Sequence, residues 1–178
     1  KINILEIGVF SGASSASFAN YFERAKIFCI DINLSNFKFS SKKFKVFHVD
    51  ISNTKMIHDF LKKNKIEEEE KYFDIIIDDA SHKLSDQIKS LFFFSKYMKS
   101  KGIYVIEDYN FSDLYPHLMD CEKEHSIDKI LNFLEDQKIF KSNLVKQDDI
   151  SNLVKKIKKI NKHKGYHGNS DIVFLQMK

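Results

Sequence analysis

The chain has 178 residues, 43% of them hydrophobic, and a formal net charge of +4. That is enough for one domain spanning residues 1–178 with its own core, and too apolar for a disordered chain. Lys and Arg number 29 against 25 Asp and Glu, so no nucleic-acid surface is indicated, and no run of about eighteen apolar residues offers a membrane span.

Apolar runs of strand length alternate with segments of helical period, the pattern of a parallel sheet covered by helices. Strands are expected at 2–7, 27–32, 45–49, 73–78, 103–107 and 172–177, and helices at 14–22, 54–63, 85–99 and 127–140. The unbroken Ile, Val and Phe character of the strands suits burial on both faces. The stretch 154–161 reads either way: positions 154, 157 and 160 have helical spacing, yet a strand there would partner the last one. The connection 33–44 is short for a crossover helix and has room for a turn or two. The acidic run 67–70 and the lysines at 155, 156, 158 and 159 read as solvated faces. Cys29 and Cys121 have neither metal-ligand nor redox spacing, and no secretion leader is visible, so a cytoplasmic location is expected. The chain opens at Lys1 on a strand-like run, which suggests a longer polypeptide on that side.

The first strand ends in Glu6-Ile7-Gly8-Val9-Phe10-Ser11-Gly12. Glycines there permit a tight turn and close backbone approach to a ligand, and the following helix adds free N–H donors. The Gly-x-x-x-Gly spacing is not the Gly-x-Gly-x-x-Gly of dinucleotide folds. Glu6 suits a ligand bearing an ammonium group and would repel a pyrophosphate. Asp31 closes the second strand at a distance that suits a ribose-gripping carboxylate, though a lone Asp is more often a turn residue. Asp50 and Ile51 close the third. Asp50 is placed to accept the adenine amino group while Ile51 packs on the ring, and it serves equally as a cap for the helix near Thr54.

The fourth strand ends in Asp78-Asp79-Ala80-Ser81-His82 and the fifth in Glu107-Asp108-Tyr109. Neighbouring strands lie about 4.8 Å apart, so the two ends can converge. Carboxylates gathered there repel one another, and a cation or a raised pKa must compensate. All-oxygen ligands favour Mg²⁺ over zinc. A cation would make an alkoxide accessible, and His82 is placed to take the hydroxyl proton. The bland alternative makes Asp79 and Asp108 turn caps and His82 a structural histidine.

Glu6-x-Gly8-x-x-x-Gly12 with Asp31 and Asp50 resembles the S-adenosylmethionine-binding elements of class I methyltransferases. The resemblance implies a doubly wound, Rossmann-like, seven-stranded sheet of order 3-2-1-4-5-7-6, with strand seven antiparallel and 154–161 as strand six. It also implies that Glu6, Gly8, Ser11, Gly12, Asp31, Asp50 and Ile51 serve the cofactor site. The later cluster is similar to a narrower group, the metal-dependent sugar O-methyltransferases of the mycinamicin (macrolide) type. That likeness covers about residues 1–110. It implies Mg²⁺ on Asp79, Glu107 and Asp108, His82 as general base, and Asp78 on the cofactor side or behind the ligands. Ala80 stands where that group carries glycine. An N-terminal region that helps such proteins oligomerise has no counterpart here, which leaves a homo-oligomer open. The acceptor would be a sugar-like hydroxyl compound bordered by residues 109–124, with Tyr109, Asn110, Tyr115 and His117 as candidates. Two other readings remain: a cofactor-binding domain without turnover, which an intact His82 disfavours, and a nicotinamide oxidoreductase, which Glu6 and the glycine spacing disfavour.

Overall fold

The computed structural model describes every residue except Glu70, His167 and Gly168, so the last position of the acidic run lies outside the described residues. In chain order it runs β1 (Ile2–Ile7), α1 (Ala13–Tyr21), β2 (Ala25–Asp31), β3 (Phe44–His48), α2 (Thr54–Lys63), β4 (Phe73–Asp78), α3 (Leu84–Phe94) and β5 (Met98–Ile106). There follow α4 (Phe111–Leu114), α5 (Ile127–Glu135), α6 (Gln147–Lys156), β6 (Ile157–His163) and β7 (Ile172–Met177). Among the described residues the strands form one sheet of order β3-β2-β1-β4-β5-β7-β6, parallel except where β7 runs antiparallel between β5 and β6. The expected topology is the one observed.

Strand side chains alternate between faces. Leu5, Ile7, Phe28, Ile30, Ile76, Tyr104 and Ile106 point to the face covered by α2, α3, α5 and α6. Ile4, Ile27, Cys29, Ile77 and Val105 point to the face that α1 covers. Beyond β4 that second face is thinly covered: Ile75, Ile172 and Phe174 are half-buried and Ile103 is exposed. Helix α2 seats through Ile57, Phe60 and Leu61, a stripe at helical spacing whose members each contribute about 1.5–3 kcal/mol on burial. No helix among the described residues is long and apolar enough to cross a membrane.

Several boundaries differ from expectation for identifiable reasons. The expected helix 85–99 is α3 followed by one 3₁₀ turn, and β5 begins at Met98. Its polar opening Lys99-Ser100-Lys101 carries no strand-like hydrophobicity, and the pairing with β4 shifts register between Phe73 and Ile75. The helix expected to reach Phe140 stops at Glu135. Gln137 is left-handed (φ 55°), Lys138 N–H donates to the Phe133 carbonyl and Gln137 N–H to that of Leu134. This is a Schellman C-cap built without glycine, so its usual signature is missing. The ambiguous stretch divides at Lys156 into the end of α6 and the start of β6. The connection 33–44 holds one 3₁₀ turn, Leu34–Asn36.

Candidate active site

The loop after β1 is shaped by two left-handed glycines, Gly8 (φ 82°) and Gly12 (φ 81°). A Cβ at Gly8 would overlap the Asp79 carbonyl, and one at Gly12 would come within 2.5 Å of the Phe37 ring. The bare Gly8 therefore lets the end of β1 lie against the end of β4, where Asp79 N–H donates to the Ile7 carbonyl at 2.9 Å. Asp31 fastens the same loop from β2. Its Oδ2 accepts from Val9 N–H at 2.8 Å and Phe10 N–H at 3.0 Å, and its Oδ1 from Asn33 N–H at 2.8 Å. The bonds from Val9 and Phe10 span 22 and 21 residues of sequence.

Beside this loop, at the C-terminal edge of the sheet, opens a cleft of about 760 Å³. Gly8, Ser11, Asp31, Asp50, Ile51 and Asp79 line it, together with Phe10, Ile32 and Ser14. Asp50 Oδ1 accepts from Ser52 N–H at 2.8 Å and Ser52 Oγ at 2.7 Å. The cap of α2 is Asn53, whose Oδ1 accepts from Lys55 and Met56 N–H.

Glu6, Gly12 and Asp78 do not line the cleft. Strand alternation is the reason for the two acids. Glu6 points to the α1 face, where Ser14 and Ser15 hydroxyls donate to it, and its burial raises its pKa. Asp78 points to the opposite face, accepts from Tyr104 Oη at 3.2 Å, and is pushed up to about 6 by burial against the opposing hydrogen bonds of Ser90 and Tyr104.

Asp79, His82 and Asp108 converge, each offering a ligand atom within 4.8 Å of the others. His82 Nε2 stands 3.8 Å from Asp79 Oδ1 and 4.0 Å from Asp108 Oδ2. Glu107 is outside this trio, half-buried beside it. Burial first, then repulsion from Glu107, Asp108, Asp78 and Glu6, pushes Asp79 up to about 7. Glu107 is raised by burial and by Asp108. Burial lowers the His82 pKa while Asp108 opposes it, a shift that favours the neutral imidazole. Asp108 Oδ1 is buried without a hydrogen-bond partner among the described residues. An orphaned carboxylate oxygen beside a second carboxylate is a pair of oxygen donors that fits a small hard cation, with the imidazole next to them.

Other residues shape the site without a signal in the sequence. His82 (φ 55°) and Asp108 (φ 51°) both hold left-handed backbone, a costly state for residues other than glycine that clusters at functional sites. The Phe111 ring packs on His82 with centroids 5.2 Å apart, and Tyr115 packs on Phe111 at 5.2 Å. Tyr109 is buried, whereas His117 is exposed.

A family model described as a methyltransferase domain matches residues 5–109. No curated protein matches the chain by sequence. Among solved structures, the MycE methyltransferase of the mycinamycin biosynthetic pathway, in complex with Mg, SAH and mycinamycin VI, aligns with TM-score 0.71 and 20% identity over 99% of this chain and 45% of that one. Human methyltransferase-like protein 13 in complex with SAH aligns with TM-score 0.57 and 15% identity over 99% and 72%. The N-methyltransferase NodS from Bradyrhizobium japonicum aligns with TM-score 0.52 and 14% identity over 99% and 84%. At such identities the likeness is one of fold, and the chain spans less than half the length of MycE. The family match is of sequence, and it runs through the glycine loop and both acidic strand ends. The chain belongs to the methyltransferase domain family.

Proposed function

We propose that the chain is an S-adenosylmethionine-dependent O-methyltransferase acting on a hydroxyl of a sugar or glycosylated small molecule, with Mg²⁺ beside the cleft and His82 as general base. The observation that carries this reading is the convergence of Asp79, His82 and Asp108 beside a glycine-shaped cleft. The unpartnered Asp108 Oδ1 and the raised Asp79 support a cation there. MycE, whose structure contains Mg, SAH and mycinamycin VI, supports the sugar-bearing acceptor class.

Asp79 and Asp108 would hold the cation, with Glu107 adding charge behind them. Mg²⁺, when bound, supplies the positive charge that makes an alkoxide accessible near neutral pH. S-adenosylmethionine supplies a sulfonium methyl. Gly8, Ser11, Asp31, Asp50 and Ile51 would bind it in the cleft, while Gly12 and Glu6 fix the loop from behind and Asp78 anchors the end of β4. His82 would accept the hydroxyl proton at Nε2, leaving the acceptor oxygen as the nucleophile for the methyl group that the cofactor would supply.

Calorimetry with S-adenosylhomocysteine (SAH), followed by transfer of labelled methyl to a panel of sugar hydroxyls, tests the reading. Asp31→Ala removes a carboxylate that caps two loop N–H groups and faces the cleft. At about 1.5–3 kcal/mol per charged hydrogen bond, SAH affinity should fall at least roughly tenfold. Unchanged affinity would remove Asp31 from the site, and binding of NAD in place of SAH would overturn the reading altogether.

A further inference from the structure

We propose that Asp86 is a positioning residue for His82, acting through the hydroxyl of Ser81. This deepens the reading of His82 as the base and rests on it. The turn from β4 to α3 covers only residues 79–83, and within it His82 adopts left-handed backbone at φ 55°. An Ala precedes it at position 80, so no glycine nearby absorbs the geometry. Such a conformation persists only where the surroundings impose it.

The turn is fastened at both ends. On the β1 side, Asp79 N–H donates to Ile7 and its carbonyl lies against the bare Cα of Gly8. On the α3 side, Ser81 Oγ donates to Asp86 Oδ2 at 2.6 Å. Asp86 is only 8% exposed and sits in the first turn of an eleven-residue helix. A carboxylate is favoured there by the helix dipole, so the anchor is itself held rigidly. Lys83, at the N-cap, contributes no side-chain cap. Asp86 and Gln87 N–H donate to the Lys83 carbonyl at the start of the helix. The side-chain tie that reaches back to the residue before His82 is the Ser81 hydroxyl, which also receives a long 3.5 Å contact from Lys83 N–H. His82 follows Ser81 directly, and its ring is left with Nε2 within 4.0 Å of both Asp79 and Asp108 and with Phe111 against its side. Releasing Ser81 lets His82 relax to right-handed backbone, which swings Cβ and carries the imidazole away from the acceptor side. Asp86 makes no hydrogen bond to the base or to the ligand trio among those described, and although it also lines the cleft, its tie to His82 runs through the Ser81 hydroxyl.

The test compares Asp86→Ala, Ser81→Ala, the double variant and Asp86→Asn, whose amide oxygen still accepts from Ser81. Asp86→Ala and Ser81→Ala should each lower kcat by roughly 10–10²-fold, the effect of misplacing a reacting group by about 1 Å. Both residues also line the cleft, so a rise in the KM for S-adenosylmethionine is expected to accompany the loss, and the fall in kcat carries the role. The double variant should lose no more than either single one, because both cut the same link. Asp86→Asn should recover most of the lost turnover. An activity-free readout runs in parallel: the proton NMR contact between the His82 and Phe111 rings should weaken in Asp86→Ala and return in Asp86→Asn. That arm decides the proposal even if the parent transfers no methyl group, an outcome that would sink the assigned reaction alone. Should Asp86→Ala fail to fold, Ser81→Ala, which deletes one oxygen, carries the comparison. An unchanged ring contact in the Ala variants, multiplicative losses in the double variant, or a defect confined to cofactor KM would overturn the role.

Discussion

His82→Ala is expected to cut methyl transfer by about 10²–10⁴-fold, the usual contribution of a general base, while leaving SAH affinity close to the parent value. The separation follows from geometry. Asp79, Ala80, Ser81 and Lys83 line the cleft, but His82 does not; it turns toward Asp108 and Phe111. Deleting the imidazole would remove the proposed base without touching the walls of the cleft. The same placement fixes the pH dependence. Burial pushes the His82 pKa below its ordinary 6.5, with Asp108 pulling the other way. A cation on Asp79 and Asp108 would lower it further. At saturating Mg²⁺, which would keep Asp79 ionised against the burial that pushes it up to about 7, turnover should be flat through neutral pH and fall only in acid, as the imidazole gains a proton and can no longer act as a base. A pH–rate profile with its acid limb centred above 6.5, or a His82→Ala enzyme at the parent rate, would contradict the assignment.

Gly8→Ala should lower both stability and cofactor affinity. A residue with a Cβ in left-handed backbone costs about 1–2 kcal/mol. The new methyl would also overlap the backbone of Asp79 and Ala80, where overpacking adds about 1–3 kcal/mol. Together about 3 kcal/mol corresponds, in a domain of this size, to a fall in Tm of roughly 6–12 °C. Because Gly8 sets the approach of β1 to β4, the methyl also drives the turn at 79–82 away from the glycine loop, and SAH binding should weaken with it. Gly12→Ala is the instructive contrast. Its clash is with the Phe37 side chain, which can swing aside, so the loss should be the smaller of the two. Scanning calorimetry of the two variants checks the ranking, and a Gly8→Ala protein melting with the parent would refute the close approach.

Much of this was legible in the sequence where a single physical cause dominates. β1 and β4 are largely buried on both faces and β7 is buried on one and half-buried on the other, and the apolar runs of all three mark their ends without error. Where polar residues enter a strand, as at Lys99-Ser100-Lys101, or a helix ends on a left-handed Gln137 instead of a glycine, the pattern gave no warning. At the site, the identity of the acidic strand ends was readable, because each strand is read to its last residue. Which of the acids share a cleft was not deduced, although strand alternation contains the answer for Glu6 and Asp78, which fall on opposite faces of the sheet. Three features had no local signal at all. Asp31 ties the glycine loop from another strand, Asp86 holds Ser81, and Phe111 meets His82 across 29 positions of the chain (111 − 82). Each depends on tertiary placement, and so does the left-handed backbone of His82 and Asp108.

The account turns on whether the Asp79–Asp108 pair works with a cation. The direct measurement is methyl transfer to a responsive hydroxyl acceptor by enzyme stripped with EDTA, before and after Mg²⁺ is restored, with SAH affinity followed by calorimetry in both states. The expected result is near-complete loss of transfer on stripping, recovery on adding Mg²⁺, and SAH still bound throughout. Transfer at the full rate in excess EDTA would contradict the account.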